Sequence, residues 1–294
     1  MSAKLKIAVT GGSGFVGSHI IQKALSEGFR VRALSRTPGA LRDVDYIKGN
    51  IVSGEGLDEF LEGVDVVINS VGIIKETKGN KFEGVHYGGV VNILETCRRK
   101  NVNKIIQISA LGTGPEKENM YFKTKYMAER EIQSSGMNYV IFQPSLIFGP
   151  GDGFVNMLAG ILKFAPVFPI FGDGSYLLQP VSIHDLATAV VKRAEDINRN
   201  RSVYQVCGPE KLSYERIVRM IIRQMGKKRL VIHVPIGLVR LGVNISEKLN
   251  LPSPLSSEQL DMLLTGSVCD DNSFTEDFNI NLVTLEEGMK EYIS

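Results

Sequence analysis

The chain has 294 residues, of which 43% are hydrophobic and 22% charged, with 34 basic and 32 acidic side chains. The formal charge of +2 gives no electrostatic reason to expect a nucleic-acid partner, and no apolar run reaches the ~20 residues of a transmembrane segment. Since the N-terminus runs directly into a strand-like segment without a leader pattern, we expect a cytoplasmic protein. Cys97, Cys207 and Cys269 lie far apart without metal-ligand spacing, which predicts free thiols and no metal site.

The first half of the chain alternates short apolar runs with amphipathic helical patterns. The predicted strands are residues 6–10, 30–35, 45–49, 65–70, 104–109 and 138–144. The predicted helices between them are residues 15–28, 89–102 and 121–136. Near-continuous apolar strands that alternate with helices predict an α/β, doubly wound parallel (Rossmann) sheet with helices on both faces.

The pattern changes after Pro150, where glycine, proline and aromatic residues become frequent. Residues 181–208 combine a helical pattern with a strand and are predicted to rejoin the sheet, whereas residues 213–226 and 253–266 are further helices. We therefore expect a Rossmann domain of residues 1–150 plus about 180–208. A smaller, discontinuous, α-rich substrate domain is expected from about residues 151–179 and 209–294.

Three glycines follow the first strand and open the first helix. Gly11 suits a tight turn, Gly14 lets a pyrophosphate approach the backbone, and Gly17 lets the helix pack against the strand. The N-terminus of that helix offers N–H groups and the positive end of a dipole. In this strand–turn–helix context the triplet predicts dinucleotide binding rather than a purely structural turn.

The end of the second strand indicates which dinucleotide is bound. Ser35 and Arg36 stand where proteins that select NAD usually carry an acidic residue for the ribose hydroxyls. A guanidinium can pair with a 2′-phosphate, so the sequence favours NADP(H), with NAD(H) as the alternative. A solvated surface arginine is the other interpretation of Arg36.

The ends of the third and fourth strands carry further candidate cofactor contacts. Asn50 stands where a side-chain amide could meet the adenine edge. Val71 and Gly72 are small enough for the backbone to line the ribose and diphosphate. Small residues also occur at strand ends as ordinary turn residues.

A candidate proton-transfer set follows the fifth strand. Ser109 closes that strand at the carboxyl edge, and Tyr121 and Lys125 lie one turn apart at the start of the next helix. We expect Tyr121 to act as the acid/base of a carbonyl/alcohol reaction, with the Lys125 ammonium lowering its pKa and Ser109 donating to the substrate oxygen. The polar start of an ordinary helix is the competing interpretation.

Together these residues carry a family resemblance. The segments TGGSGFVG, YFKTK, QPSLIFGPGD and QPVSIHDLA, with Ser109, resemble the extended and atypical short-chain dehydrogenase/reductases. Within them the chain is most similar to the group around the NADPH-binding 39-kDa accessory subunit of respiratory complex I. The resemblance covers nearly the whole chain and is most specific from Lys6 to Asp185.

The resemblance implies a role for each candidate residue. The implied cofactor contacts are Gly11, Ser13, Gly14, Phe15, Val16 and Gly17 for the pyrophosphate, Ser35 and Arg36 for the 2′-phosphate, Asn50 and Ile51 for adenine, Val71 and Gly72 for the ribose and diphosphate, Lys125 for the nicotinamide ribose, and Pro144, Ser145, Leu146 and Ile147 for the nicotinamide side. Gln143 departs from the family, since many relatives carry arginine there. The loop between Ser109 and Tyr121 is also shorter than in nucleotide-sugar epimerases.

The remaining apolar segments leave the substrate and the partners open. Residues 154–172 are rich in Met, Leu, Ile and Phe, which favours a packed helix, with a lining for an apolar quinone-, isoprenoid- or steroid-like substrate as the alternative. Residues 235–250 similarly favour domain packing, with peripheral membrane association as the alternative. Monomer and homodimer are both compatible with the sequence.

The leading functional hypothesis is an NADP(H)-dependent oxidoreductase acting on a carbonyl or alcohol substrate, which an apolar quinone- or isoprenoid-like compound would satisfy. A non-catalytic NADP(H)-binding structural protein, of the kind associated with a respiratory complex, is the first alternative. A nucleotide-sugar epimerase or dehydratase is the second.

Overall fold

The computed structural model describes residues 5–37, 39, 41–196, 201–249, 255–271 and 273–294. Within these residues the strands are β1 (Lys6–Thr10), β2 (Arg30–Ser35), β3 (Val44–Lys48), β4 (Val66–Asn69), β5 (Lys104–Ile108), β6 (Asn138–Pro144), β7 (Ile147–Phe148), β8 (Val167–Phe171), β9 (Leu177–Leu178), β10 (Val181–Ser182), β11 (Ser202–Val206), β12 (Leu212–Ser213) and β13 (Leu230–Val234).

The helices are also numbered in chain order, and one π-helical segment lies at Glu83–Gly88. They are α1 (Phe15–Ser26), α2 (Leu57–Phe60), α3 (Gly89–Lys100), α4 (Met120–Ser134), α5 (Val155–Phe164), α6 (Ile183–Glu195), α7 (Tyr214–Gln224), α8 (Ile236–Lys248), α9 (Ser257–Thr265), α10 (Ser273–Phe278) and α11 (Leu285–Met289). The first two residues of the helix predicted at 253–266 lie outside the described residues.

Seven parallel strands form the main sheet, in the order β11-β6-β5-β4-β1-β2-β3. All residues of β4 and β5 are buried, as expected for strands covered on both faces. The predicted doubly wound α/β fold is therefore confirmed. The order reverses direction at β1 and β4, and this reversal is the position at which open α/β sheets bind ligands.

The chain divides into two compact units. Unit 1 comprises Met1–Pro144, Ile183–Val206 and Asp271–Asn279, and unit 2 comprises Ser145–Ser182, Cys207–Asp270 and Ile280–Ser294. Unit 1 thus includes α10, which lies in the stretch that the sequence analysis assigned to the smaller domain. The physical reason is aromatic packing, because the Phe278 ring lies tilted against Phe142 and edge-on to Tyr204, at 5.8 and 5.2 Å between ring centroids.

Unit 2 has a hydrophobic core of its own. From α5 it buries Val155, Leu158 and Leu162, and these side chains pack with Ile217 and Ile221 of α7. The structure thus gives α5 the packing role that its composition favours.

The cysteines correct one expectation. Cys97 is buried with a free thiol, but Cys207 and Cys269 form a disulfide, so the prediction of three free thiols is wrong. The side chain of Gln179 holds the two cysteine segments together, because its Nε2 donates to the Gly208 carbonyl (2.8 Å) and its Oε1 accepts from Cys269 N (3.1 Å). No sequence spacing reveals a pair 62 residues apart that a third segment brings together.

Candidate functional site

A chain of buried polar side chains crosses the carboxyl edge of the sheet. Thr10 Oγ1 donates to Asn69 Oδ1 (2.6 Å), and Asn69 Nδ2 donates to Gln107 Oε1 (2.8 Å). Gln107 Nε2 then donates to the carbonyl of Ile108 (3.0 Å). Because buried polar groups need partners, this chain fixes the ends of the neighbouring strands β1, β4 and β5 relative to one another.

The glycine turn between β1 and α1 has the geometry that its sequence predicts. Gly11 has φ +70°, a conformation that favours glycine, and a Cβ at Gly17 would lie 2.3 Å from the Gly11 carbonyl oxygen. Gly14 is the N-cap of α1, and its lack of a side chain leaves the first-turn N–H groups without a side-chain acceptor. Ser13 is exposed, and Phe15 and Val16 begin the helix.

At the end of β2 the two candidate residues differ in exposure. Arg36 is exposed, whereas Ser35 is buried and its hydroxyl donates to the carbonyl of Thr37. Arg36 therefore carries the accessible polar group at this strand end, and Ser35 shapes the turn that follows.

The candidates after β3 and β4 also differ in what their side chains do. Asn50 Oδ1 accepts from Val52 N (2.9 Å), and Ile51 is buried in the core of unit 1. Val71 packs against that core and Gly72 approaches α4, since a Cβ on Gly72 would lie 3.0 Å from Lys125 Nζ. The Ile51 side chain therefore belongs to the hydrophobic core, and the Asn50 side chain shapes the turn that follows β3.

Lys125 links α4 to the end of β5. Its Nζ donates to the carbonyl of Ile108 (3.1 Å), the same oxygen that accepts from Gln107. Burial lowers the pKa of Lys125 to about 8, and the carboxylate of Glu129 one turn later opposes that shift. The ammonium is thus a buried positive charge beside Ser109 and Gly72.

Tyr121 differs from the sequence-based expectation. Its ring lies edge-on to Phe82, His86 and Phe122, with centroid distances of 6.0, 5.4 and 5.2 Å. Burial in this aromatic surrounding raises the pKa of Tyr121 to about 12, so the lowering that the sequence led us to expect from Lys125 is wrong. The phenol therefore keeps its proton at neutral pH.

Ser109 is hydrogen-bonded to a residue that the sequence analysis did not single out. Its hydroxyl donates to Glu129 Oε1, which also accepts from Thr113 Oγ1 (3.0 Å). Glu129 Oε2 accepts from Gln143 Nε2 (2.9 Å). Burial raises the pKa of Glu129 in spite of these three donors. Gln143, the departure from the family pattern, is thus a partner of a buried carboxyl group.

His86 is a second residue that the sequence analysis missed. Its Nε2 accepts from Ile73 N (3.1 Å), so Nδ1 carries the proton and donates to Thr124 Oγ1 (2.9 Å). Burial, reinforced by the nearby Lys125 ammonium, lowers the pKa of His86 to about 3. The neutral imidazole therefore ties the loop after β4 to α4.

The four candidates on the predicted nicotinamide side are divided between the two units. Pro144 ends β6 in unit 1, where its carbonyl accepts from Leu111 N (2.9 Å). Ser145, Leu146 and Ile147 open unit 2, and Ser145 Oγ donates to the Ser267 carbonyl (2.8 Å).

A sequence signal existed for one of the two missed residues. Glu129 follows Lys125 by four residues, so helical periodicity puts it on the same face as Tyr121 and Lys125. No comparable signal existed for His86, because a lone histidine in an irregular helical segment is most often a structural residue. Among the described residues, no cluster of three or more His, Cys, Asp or Glu side chains could hold a metal ion.

With this geometry established, comparison with known proteins identifies the family. The sequence profile of the NAD dependent epimerase/dehydratase family matches residues 7–207. The chain belongs to this family.

Two relatives of this chain have names that indicate different roles, one a respiratory-complex subunit and the other a reductase. Subunit 9 of the mitochondrial NADH dehydrogenase 1 alpha subcomplex from Dictyostelium discoideum is 24% identical over 228 residues, which cover 74% of this chain and 63% of the relative. The ceramide reductase of Caulobacter vibrioides is 27% identical over 190 residues, 63% of this chain and 59% of the relative. The resemblance to the complex I subunit group is confirmed, but the aligned part spans less than two thirds of each relative.

Solved structures share the fold over nearly the whole chain. MoeE5 in complex with UDP-glucose and NAD matches with a TM-score of 0.80 at 19% identity, covering 98% of this chain and 97% of that one. The UDP-glucose 4-epimerase of Thermotoga maritima matches with a TM-score of 0.78, at the same identity and coverage. At this identity the likeness establishes the fold alone.

Proposed function

We propose that this protein is an NADP(H)-dependent oxidoreductase that reduces a carbonyl compound with apolar character. The observation that carries the proposal is the position of Lys125, whose buried ammonium is bonded to the Ile108 carbonyl, beside Ser109 and against Gly72. A buried charge at a sheet edge is costly unless partners or a ligand satisfy it. A ribose with two hydroxyl groups would supply acceptors for the remaining ammonium protons.

The residues of the sheet edge fit a bound dinucleotide phosphate. The glycine turn and the N-terminus of α1 offer backbone N–H groups to the pyrophosphate, and Arg36 offers an exposed guanidinium to the 2′-phosphate. Asn50 and Ile51 would border the adenine, Val71 and Gly72 the ribose and diphosphate, and Pro144 to Ile147 the nicotinamide side. When bound, the cofactor supplies a hydride to the carbonyl carbon of the substrate.

The protonation state of Tyr121 suits the acid step of a carbonyl reduction. Tyr121 holds its proton, because burial raises its pKa to about 12, and a protonated phenol can deliver that proton to the oxygen of the carbonyl that accepts the hydride. Lys125 would stabilise the resulting tyrosinate, and Ser109 would orient the carbonyl oxygen. Glu129 acts through Ser109 as a positioning residue.

The apolar character of the substrate rests on the printed names of two relatives. One is the ceramide reductase, and the other is the human decarboxylating sterol-4-alpha-carboxylate 3-dehydrogenase, which is 22% identical over 258 residues. Both names specify lipid substrates, so long-chain ketones and sterols are the first compounds to assay, followed by quinones.

Substitution of Tyr121 tests the proton-transfer role. We expect Tyr121→Phe to lower the rate of NADPH-dependent reduction by about 10² to 10⁴ while leaving NADPH affinity within twofold. Tyr126→Phe, on the same helix, is the matched control and should retain the wild-type rate. Full turnover by Tyr121→Phe would refute the proposed acid.

Substitution of Arg36 tests the choice of cofactor. We expect Arg36→Ala to weaken NADPH binding by about tenfold or more, because a charge-assisted hydrogen bond is lost, and to leave NADH binding unchanged. Arg30→Ala, at the other end of β2, is the matched control. Equal wild-type affinities for NADPH and NADH, measured by fluorescence titration, would refute the preference.

One observation favours a non-catalytic alternative. The Ser109 hydroxyl already donates its hydrogen to Glu129 and so is not free to donate to a substrate oxygen. A site that only binds the cofactor would not require that hydrogen bond to break. The complex I relative is consistent with such a role. Tight NADPH binding by the wild type, with no turnover on any carbonyl class, would support this second function.

A further inference from the structure

Helix α8 exposes its most apolar face. Its exposed leucine and isoleucine side chains are Leu238 (62% exposed), Leu241 (56%), Ile245 (46%) and, directly after the helix, Leu249 (63%). At 100° per residue these four side chains lie within an arc of about 80°, and we call them the outer row. Val243, the buried residue of α8, lies about 160° from the centre of that arc. The outer row therefore faces away from the packing contact of the helix.

The strand before α8 continues this pattern. In the parallel pair of β8 and β13, Leu230 is opposite Val167, and Ile232 is opposite Pro169. Leu230 is 62% exposed and Val167 40%, whereas Phe168 and Ile170, on the other face of β8, are buried. Just before β8, Phe164 is 81% exposed. Unit 2 thus exposes large apolar side chains on two elements that are successive in the chain, whereas exposed apolar residues ordinarily occur singly.

The segment that carries this surface is predominantly positive. Residues 227–249 contain five lysines and arginines and one glutamate, a net charge of +4, whereas the whole chain carries only +2. Arg240 pairs with Asp261 at 2.8 Å, but no ion pair joins Lys163, Lys228 or Lys248 to another described residue. These lysines are exposed, and the Lys163 ammonium lies 5.8 Å from the centre of the Phe164 ring.

The exposed apolar side chains and the positive charge together favour one of two partners that could cover the outer row, a second copy of the chain or a lipid bilayer. A two-fold dimer through this face would bring one +4 segment against the same segment of a second copy, so the charges would repel. A bilayer that contains anionic lipids offers apolar depth for the leucines and negative charge for the lysines. None of the described helices is long and apolar enough to cross a membrane. An amphipathic helix such as α8 would lie in the plane of the membrane surface.

We propose that α8 docks this protein onto anionic membranes, with the outer row inserted below the headgroups and Lys163, Lys228 and Lys248 at the level of the phosphates. The proposal is independent of the chemistry at the sheet edge. A membrane-bound reductase would meet lipid substrates where they are concentrated, and a non-catalytic protein could use the same surface.

Vesicle flotation of the full chain tests the proposal. We expect the wild type to float with vesicles of phosphatidylcholine and phosphatidylglycerol, and to bind phosphatidylcholine alone much more weakly. Leu241→Gln combined with Ile245→Gln should reduce the bound fraction by about tenfold, because two inserted side chains become polar. Val203→Gln, a similar change at an exposed residue of β11, should bind like the wild type.

Charge reversal tests the electrostatic part separately. Lys228→Glu combined with Lys248→Glu should weaken binding to the anionic vesicles several-fold, and high salt should remove the difference. Lys211→Glu combined with Lys290→Glu makes the same charge change at two other exposed lysines and should have little effect. The variants are compared only when their circular dichroism and unfolding midpoints match the wild type.

Three outcomes would overturn the proposal. The first is a wild type that floats with neither kind of vesicle, and the second is a Leu241→Gln, Ile245→Gln protein that floats as well as the wild type. The third is a wild-type dimer in sedimentation velocity that this double substitution converts to a monomer without any lipid binding.

Discussion

Four ionisable side chains meet around the end of β5, and burial shifts the pKa of each. The pKa of Tyr121 is raised, that of Glu129 is raised, and those of Lys125 and His86 are lowered, so every shift favours the neutral form. The protonation of Glu129 decides the direction of one hydrogen bond. A protonated Glu129 can donate to Ser109 Oγ, which then leaves the Ser109 hydrogen available for a substrate oxygen.

The lowered pKa of His86 predicts acid sensitivity. The unfolded chain binds a proton at His86 with a pKa near 6.5, whereas the folded chain binds it only near pH 3, so protonation favours unfolding between these values. We expect the free energy of unfolding to fall by about 3 kcal/mol from pH 6.5 to pH 4 through this residue. Urea titrations at several pH values measure it.

Substitution of His86 separates its effect on stability at pH 7 from its effect on the pH dependence of stability. His86→Gln should lower stability at pH 7 but flatten its dependence on pH, because the titrating group is gone. His184→Gln, at an exposed histidine, should retain the wild-type slope. An unchanged slope in His86→Gln would show that other groups cause the acid sensitivity.

At the scale of elements, α1 and α4 position the site in different ways. Helix α1 approaches the turn after β1 so closely that only glycine fits at position 17, which sets its N-terminus at the sheet edge. Helix α4 is capped by Asn119, whose Oδ1 accepts from Tyr121 N (3.0 Å), and then reaches β5 twice, through Lys125 and Glu129. One helix therefore carries three candidate side chains and holds two of them against the end of one strand.

Addition of a methyl group at position 17 tests the first contact. Gly17→Ala puts a Cβ within 2.3 Å of the Gly11 carbonyl oxygen, so we expect a loss of about 2 kcal/mol or more in stability and weaker dinucleotide binding. Gly160→Ala in α5 is the matched control. Its added Cβ meets nothing within 4 Å, so it should stabilise by up to about 1 kcal/mol. Wild-type stability of Gly17→Ala would show that α1 can shift.

The elements also explain which parts were predictable from sequence. The strands from β1 to β6 were predicted to within one residue at nearly every end, because each is a short apolar run between polar breaks. The turn geometry of Gly11 and Gly17 followed from their spacing. The π-helical segment at Glu83–Gly88 has no such periodic pattern. The hydrogen bonds of Glu129 depend on Ser109, on Gln143 of β6 and on Thr113 of the loop before α4, which lie far from it in the chain.

At the scale of the whole molecule, the chain leaves unit 1 after Val206 and returns at Asp271. The disulfide joins Cys207 and Cys269, next to these two crossing points. Sequence patterns predicted neither this pairing nor the inclusion of α10 in unit 1. Both depend on contacts between segments far apart in the chain, which local periodicity does not encode.

Removal of this cross-link should be costly. Closing a loop of 62 residues restricts the unfolded chain, so we expect Cys207→Ser combined with Cys269→Ser to lose about 4 kcal/mol of unfolding free energy under oxidising conditions. The wild type should lose the same amount on addition of a reductant, and the double variant none. Cys97→Ala is the control that keeps the sensitivity to reductant. A reductant-insensitive wild type would contradict the prediction.

The cross-link also has a consequence for protein engineering. Residues 207–269 form a covalently closed ring whose two ends continue into β11 and α10 of the same unit. A protease cut inside that ring leaves one molecule held by the sulfur bridge, which separates into two fragments only after reduction. The ring is therefore a cassette that could be exchanged for another sequence with the same two cysteines, while the register of the parallel sheet stays fixed.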